Sequence, residues 1–207
     1  MCVHTIETDL RPFHRVAVLR SIAAVDAVRI ADLDRPTPCA QWTLADLLAH
    51  MTAQHRGFAA AARGRGDDKS VWDVATVADA VRADPAQAYA AAAHDVLAAF
   101  AADGIAEATF ALPEFGPNAT FPGAQAIGFH FVDYAVHGWD VAASLGAPYD
   151  LPADVVAAAL PLVLAIPDGD FRDSSPSPFA RAVNASPATD FEKILAHLGR
   201  RPDWRQP

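Results

Sequence analysis

Apolar positions along this chain recur at intervals of three and four, the period of an amphipathic helix, and strand-like alternation is scarce. Leu10, Phe13, Val16, Ala17, Ile22 and Val25 place a first helix over about residues 9–31. The run Asp34-Arg35-Pro36-Thr37-Pro38-Cys39 ends it, because the two prolines remove donors and bias their predecessors away from helix. Thr43-Leu44-Ala45-Asp46 reads as a capping box with the shorter acid and opens a second helix to about residue 63. Pro85, at a first-turn position, begins a third over about 85–102. A long connection follows, with a short extended piece at Thr109–Leu112. The fourth helix runs from Pro122 or Gly123 to Leu145 and stops at Gly146. Pro152 starts a fifth, about 152–165, and after a polar excursion over 167–178 a final short helix covers about 187–199.

This pattern predicts an all-α protein, a four-helix bundle with one crossover connection and a short C-terminal helical extension. The expected organisation is a bundle over residues 1–166, with 167–207 packing on it as a loop and helix, one domain overall. A hydrophobic fraction of 52% in 207 residues suits a globular core. The net charge of −9, with no basic face, argues against a nucleic-acid binder. No apolar run reaches membrane-spanning length and the N-terminus lacks a signal-peptide pattern, so a cytoplasmic protein is expected. Cys2 and Cys39 suggest neither a disulfide framework nor a spaced zinc motif.

The fourth helix carries the chemistry. His130, Asp133 and His137 fall within an arc of about 60° on one helical face, which is costly in an apolar helix unless something satisfies them. Asp133 and His137 are an i, i+4 pair about 6 Å apart along the axis, so both can reach one ion. His130 lies about 10 Å from His137, too far to share that ion, although His130 with Asp133 is a competing pair. His50, among Leu44, Leu47, Leu48 and Met51 of the second helix, is the best partner from a facing helix. His50, Asp133 and His137 would give two nitrogens and one oxygen with positions left open, the pattern of a catalytic divalent site. The plainer alternative is an ion pair beside a satisfied core histidine. His14, His94 and His197 read as surface residues, Trp42, Trp72 and Trp204 as packing anchors, Asp140 as an acceptor for a neighbouring element, and Cys39 as a small buried hydrophobe.

Three stretches carry a resemblance: Pro36-Thr37-Pro38-Cys39-Ala40-Gln41-Trp42-Thr43 leading into Asp46-Leu47-Leu48-Ala49-His50; Asp133-Tyr134-Ala135-Val136-His137-Gly138-Trp139-Asp140; and the tail from Phe191 to Trp204. In this order they resemble the DinB/YfiT-like metal-dependent superfamily, in its actinobacterial branch related to the N-terminal domain of mycothiol-dependent maleylpyruvate isomerase. The resemblance implies a DinB-like four-helix bundle whose metal would be held by His50, Asp133 and His137. It also implies zinc, or nickel as the second choice, and a thiol cofactor such as mycothiol kept as thiolate by the metal. Two departures accompany it: Asp133 stands where the isomerase branch carries Glu, and the chain is expected to lack the isomerase's separate C-terminal domain. Maleylpyruvate isomerisation itself is therefore not the expected reaction.

The function expected is a metal- and thiol-dependent transferase or isomerase acting on a small electrophile. His130 would then serve as a supporting orienter or proton carrier. A small-molecule substrate and a low-molecular-weight thiol are the partners expected, with a homodimer open as the assembly. The alternative from another class is a non-catalytic metal- or small-molecule-binding bundle acting as a regulatory module.

Overall fold

The computed structural model describes residues 9–39, 41–173 and 179–206, so Cys2 lies outside it. Seven α-helices occur among these residues: α1 (Arg11–Val25), α2 (Leu44–Ala62), α3 (Ala75–Ala83), α4 (Pro85–Phe100), α5 (Gly123–Leu145), α6 (Ala153–Leu164) and α7 (Asp190–His197). The four long ones form a ring in which α1 packs on α5, α5 on α2, α2 on α4 and α4 back on α1. Short α3 lies against α2 and α4, α6 against α1 and α5, and α7 against α6. The all-α expectation holds. The extended piece is strand β1 (Thr109–Ala111), paired antiparallel with β2 (Thr120–Pro122) in a small hairpin that leads directly into α5.

Local chemistry explains the element boundaries. The Thr43 hydroxyl accepts from the Asp46 N–H while the Asp46 carboxylate accepts from the Thr43 N–H, so α2 starts where the capping box places it. The first helix ends at Val25, six residues earlier than expected. The carboxylate of Asp32 accepts from the Arg29 N–H at 3.0 Å and pairs with Arg35 at 2.8 Å, which stabilises a separate 3-10 turn over Ile30–Asp32 in place of a continued helix. Helix α3 falls where no element was expected; its core-facing signal is only Val77 and Val81, one turn apart. The last helix is shorter than expected and ends in a Schellman motif. The N–H of Arg200 reaches the Leu195 carbonyl at 2.9 Å and that of Gly199 reaches Ala196 at 3.1 Å. Gly199 has φ +82°, and a Cβ there would lie 2.7 Å from Cβ of Ala180, so the turn needs glycine.

The interior holds three apolar regions. Leu44, Leu47, Leu48, Met51, Tyr89 and Val141 fill the bundle between α1, α2, α4 and α5. Phe131, Val136, Val155, Val163, Ile194 and Leu195 join α5 to α6 and α7. Phe58, Trp72, Phe100, Phe110 and Ile127 pack beneath the hairpin.

Into this core the chain also inserts three histidines. His14, expected at the surface, is 1% exposed, and its Nε2 lies 2.8 Å from Nδ1 of His130. Nε2 of His130 is in turn 3.2 Å from Nδ1 of His55, and Nε2 of His55 is buried without a partner. Tyr134 stacks on both His55 and His130. An orphaned lone pair costs less than an orphaned N–H, so we assign the protons to run from His55 through His130 to His14. The chain thereby ties α2, α5 and α1 together with neutral imidazoles.

Burial holds His14 down at about 3 and also pushes His55 and His130 well below the ordinary 6.5. Below pH 6.5 the unfolded chain takes up protons there that the folded chain does not, so their contribution is complete above that pH and lost as pH falls. Urea denaturation at about pH 7 and about pH 5 should show the folded state weakening by up to about 1.4 kcal/mol per pH unit for each such histidine. A flat profile across that window would contradict the assignment.

Candidate metal centre

One turn beyond the histidine chain, α2 and α5 present a second polar group. His50 comes from α2, and Asp133 and His137 come from successive turns of α5. One ligand atom from each lies within 4.8 Å of the others. Nε2 of His137 is 3.2 Å from Oδ1 of Asp133, so the aspartate reaches its neighbour despite being one methylene shorter than glutamate. The His50 and His137 rings meet edge to face at 5.4 Å, and Trp42 lies against His50 at 4.9 Å between ring centres.

The other side of the His137 ring is equally committed. Its Nδ1 is 2.9 Å from Oδ2 of Asp140, which is fully buried one turn further along α5. Asp140 is gripped by Arg200, whose Nη2 lies 3.1 Å from Oδ2 and whose Nε lies 3.4 Å from Oδ1. Cys39 joins the same group: its thiol is 3.2 Å from Oδ2 of Asp140, and Arg200 Nη2 is 3.3 Å from the sulfur.

These contacts set the charges. Burial opposes charge on His137, but the negative charge of Asp133 and the hydrogen bonds to Asp133, Asp140 and Cys39 outweigh it and raise the ring well above 6.5. His50 goes the other way: burial, then the charge of His137, pushes it down to about 4, leaving a neutral imidazole. Asp133 is held below its ordinary value because the His137 charge and hydrogen bond, with His50 and Arg200, outweigh its burial. Asp140 is buried too, yet the Arg200 charge and the His137 hydrogen bond hold it at about 2.

Two donor sets could therefore be considered for a cation, His50/Asp133/His137 and Cys39/His137/Asp140. The second already contains a cation, since the Arg200 guanidinium contacts both its sulfur and its carboxylate. The first has no such group. In it, His50, Asp133 and His137 would hold a divalent ion once His137 gives up its Nε2 proton, while its Nδ1–H keeps donating to Asp140. A histidine held by a carboxylate at its far nitrogen is the usual support for a metal-binding imidazole. Ligands about 2.0–2.1 Å from a tetrahedral zinc ion lie about 3.4 Å from one another, close to the 3.2 Å between His137 and Asp133, and the full set lies within 4.8 Å.

The structure thus brings together the three residues singled out as ligands. It places His130 away from them, with both ring nitrogens facing His14 and His55. Arg200 was not singled out in the sequence, although it lies after Gly199 within the tail from Phe191 to Trp204 that carries the resemblance. Asp140 was expected to accept from a neighbouring element and does, but its i, i+3 spacing to His137 also marked it as that ring's partner. Gln54, one turn after His50, donates to Glu114 at 2.6 Å on the 3-10 turn between β1 and β2, adding a polar contact near this end of α2.

The fold and this site define a DinB-like helical bundle. Residues 15–142 match the family described as the mycothiol maleylpyruvate isomerase N-terminal domain, and the chain belongs to that family. Two uncharacterized proteins of Mycobacterium tuberculosis, from strains CDC 1551 / Oshkosh and ATCC 25618 / H37Rv, are each 32% identical over 184 residues, covering 84% of this chain and 87% of theirs. Among solved structures, the crystal structure of the mycothiol-dependent maleylpyruvate isomerase superposes with a TM-score of 0.51 at 14% identity. That match covers 72% of this chain and 65% of the isomerase, which shows a shared fold. No described helix is long and apolar enough to cross a membrane.

In metal-free protein the His137 imidazole should titrate well above 6.5, with its folded-state stabilisation complete at lower pH and lost as pH rises through its own value. Imidazole NMR signals followed against pH test this, and Asp133→Asn should bring the titration down. A His137 titration at the ordinary value would contradict the charge assignment.

Proposed function

We propose that this chain is a metal- and thiol-dependent enzyme, in which His50, Asp133 and His137 hold a divalent ion, zinc before nickel, and a low-molecular-weight thiol of the mycothiol type attacks a small electrophile. The observation that carries the reading is the convergence of those three donors, with Asp140 supporting His137 from behind. Family membership supports the choice of thiol over water as the nucleophile.

When bound, the ion would supply Lewis-acid stabilisation of a thiolate at neutral pH. The remaining work falls to the chain. His50 is kept neutral by burial, so its lone pair is available in the physiological range. Asp140 keeps the second proton of His137 on Nδ1, which fixes the ring's orientation and leaves Nε2 as the donor. Trp42, 37% exposed and packed on His50, offers an apolar wall beside the donors. The thiolate would add to the electron-poor carbon of a conjugated double bond, whose π electrons move onto the conjugated carbonyl. Protonation of the neighbouring carbon from solvent with the C–S bond kept gives a transferase, whereas rotation about the former double bond and expulsion of the thiolate gives an isomerase. His130, tied into the core by His14 and His55, would brace α5 against α2 and keep the donors in register.

Metal analysis of protein reconstituted with zinc should give one equivalent, and His50→Ala and His137→Ala should each abolish it. Uptake should strengthen as pH rises, because a proton leaves His137. The loaded protein should then consume model electrophiles only when mycothiol is present. Unchanged metal content in both variants would remove the centre. Intact metal binding without thiol-dependent turnover would favour a non-catalytic binding module.

A further inference from the structure

Arg200 has no role in the proposed reaction, yet its guanidinium is placed with unusual care. It is only 7% exposed. The Schellman turn at Gly199 carries it off the end of α7, and the Leu198 carbonyl accepts from Nη1 at 2.8 Å. Its remaining donors go to Asp140 and to the sulfur of Cys39. It also lies outside the family-matched residues 15–142.

Buried charge is costly unless it is balanced, so the sum over this group matters. With a divalent ion in place, both imidazoles are neutral, and the charged groups are the ion, Asp133, Asp140 and Arg200. Two positive charges on the ion and one on Arg200 face two carboxylates, which leaves one positive charge in excess. Without Arg200 the same group would be neutral and would offer an incoming anion no net attraction. The electrostatic reach of Arg200 extends to both His50 and Asp133, which supports counting it with the centre. Glu114 also feels the charge of Asp133, but it sits on the exposed turn, accepts from Gln54, and is raised toward its neutral form by burial and by Asp133, so it is set apart from the buried sum.

We infer that Arg200 sets the charge of the centre so that it accepts one monoanion, of which a thiolate is the chemical example, and that the C-terminal segment is therefore part of the site. The inference rests on the metal-centre reading above. It makes Arg200 a positioning and charge-setting residue, with no contact to the reacting atoms. It also predicts opposite effects for the two halves of one ion pair, because removing Asp140's charge adds to the positive excess while removing Arg200's cancels it.

The test uses full-length protein saturated with Co2+ and titrated with azide, then with 2-mercaptoethanol, following the visible absorption of the cobalt. Arg200→Met should weaken azide binding by about tenfold or more, and Arg200→Lys should stay within a few-fold of the parent. Asp140→Asn, read at saturating cobalt, should bind azide more tightly than the parent. A purely structural ion pair would weaken binding in both directions, so a fall in Asp140→Asn, or an unchanged Arg200→Met that still holds cobalt, would overturn the inference. Should Arg200→Met fail to fold, Asp140→Asn and Arg200→Lys still decide it by the sign and size of their shifts. If the parent takes up no cobalt, the metal-centre reading itself fails, an outcome distinct from those.

Discussion

The imidazole of His137 lies between two carboxylates of its own helix, Asp133 one turn before it and Asp140 one turn after. Burying that triple in an apolar bundle is costly, and much of the surrounding architecture offsets the cost. Arg200 compensates Asp140 from the C-terminal segment. His50 approaches Asp133 and His137 from α2. The His14–His130–His55 chain and the Tyr134 hydroxyl, which donates to the Met51 carbonyl, bind α5 to α1 and α2 close by. Remove the need to place His137, and these contacts become expensive ornaments of a core that leucine would fill more cheaply.

Much of this was legible in the chain because it depends on short-range periodicity. Helices α2, α4, α5 and α6 announce themselves through caps, prolines and apolar spacing, and Asp133 and His137 share a face by simple helical geometry. His50 could be picked because an imidazole among leucines needs a partner. What could not be read depends on distance in sequence. His14 sits 116 positions from His130, and Arg200 sits 60 from Asp140, so no local pattern pairs them. Helix α3 escaped because two valines on one face are a weak signal, and α1 was drawn too long because a side-chain carboxylate at Asp32 overrides the apolar period.

The shorter acid at position 133 raised a question of reach, which the geometry answers: its carboxylate already touches His137 across one helical turn. The competing donor set is equally instructive. Cys39, His137 and Asp140 have the residue types of a soft metal site, but a guanidinium already satisfies them, so composition alone would have misdirected the assignment. The same guanidinium connects a segment outside the family-matched residues 15–142 to Asp140, and through it to His137.

The central claim is that His50, Asp133 and His137, and not Cys39, form the inner ligand set. X-ray absorption of the zinc-loaded protein, recorded with and without added thiol, tests it most directly. The account predicts only nitrogen and oxygen neighbours at about 2.0–2.2 Å in the absence of thiol, with imidazole scattering, and a sulfur neighbour at about 2.3 Å once thiol is added. A sulfur neighbour already present without thiol, or a spectrum lacking imidazole, would contradict it.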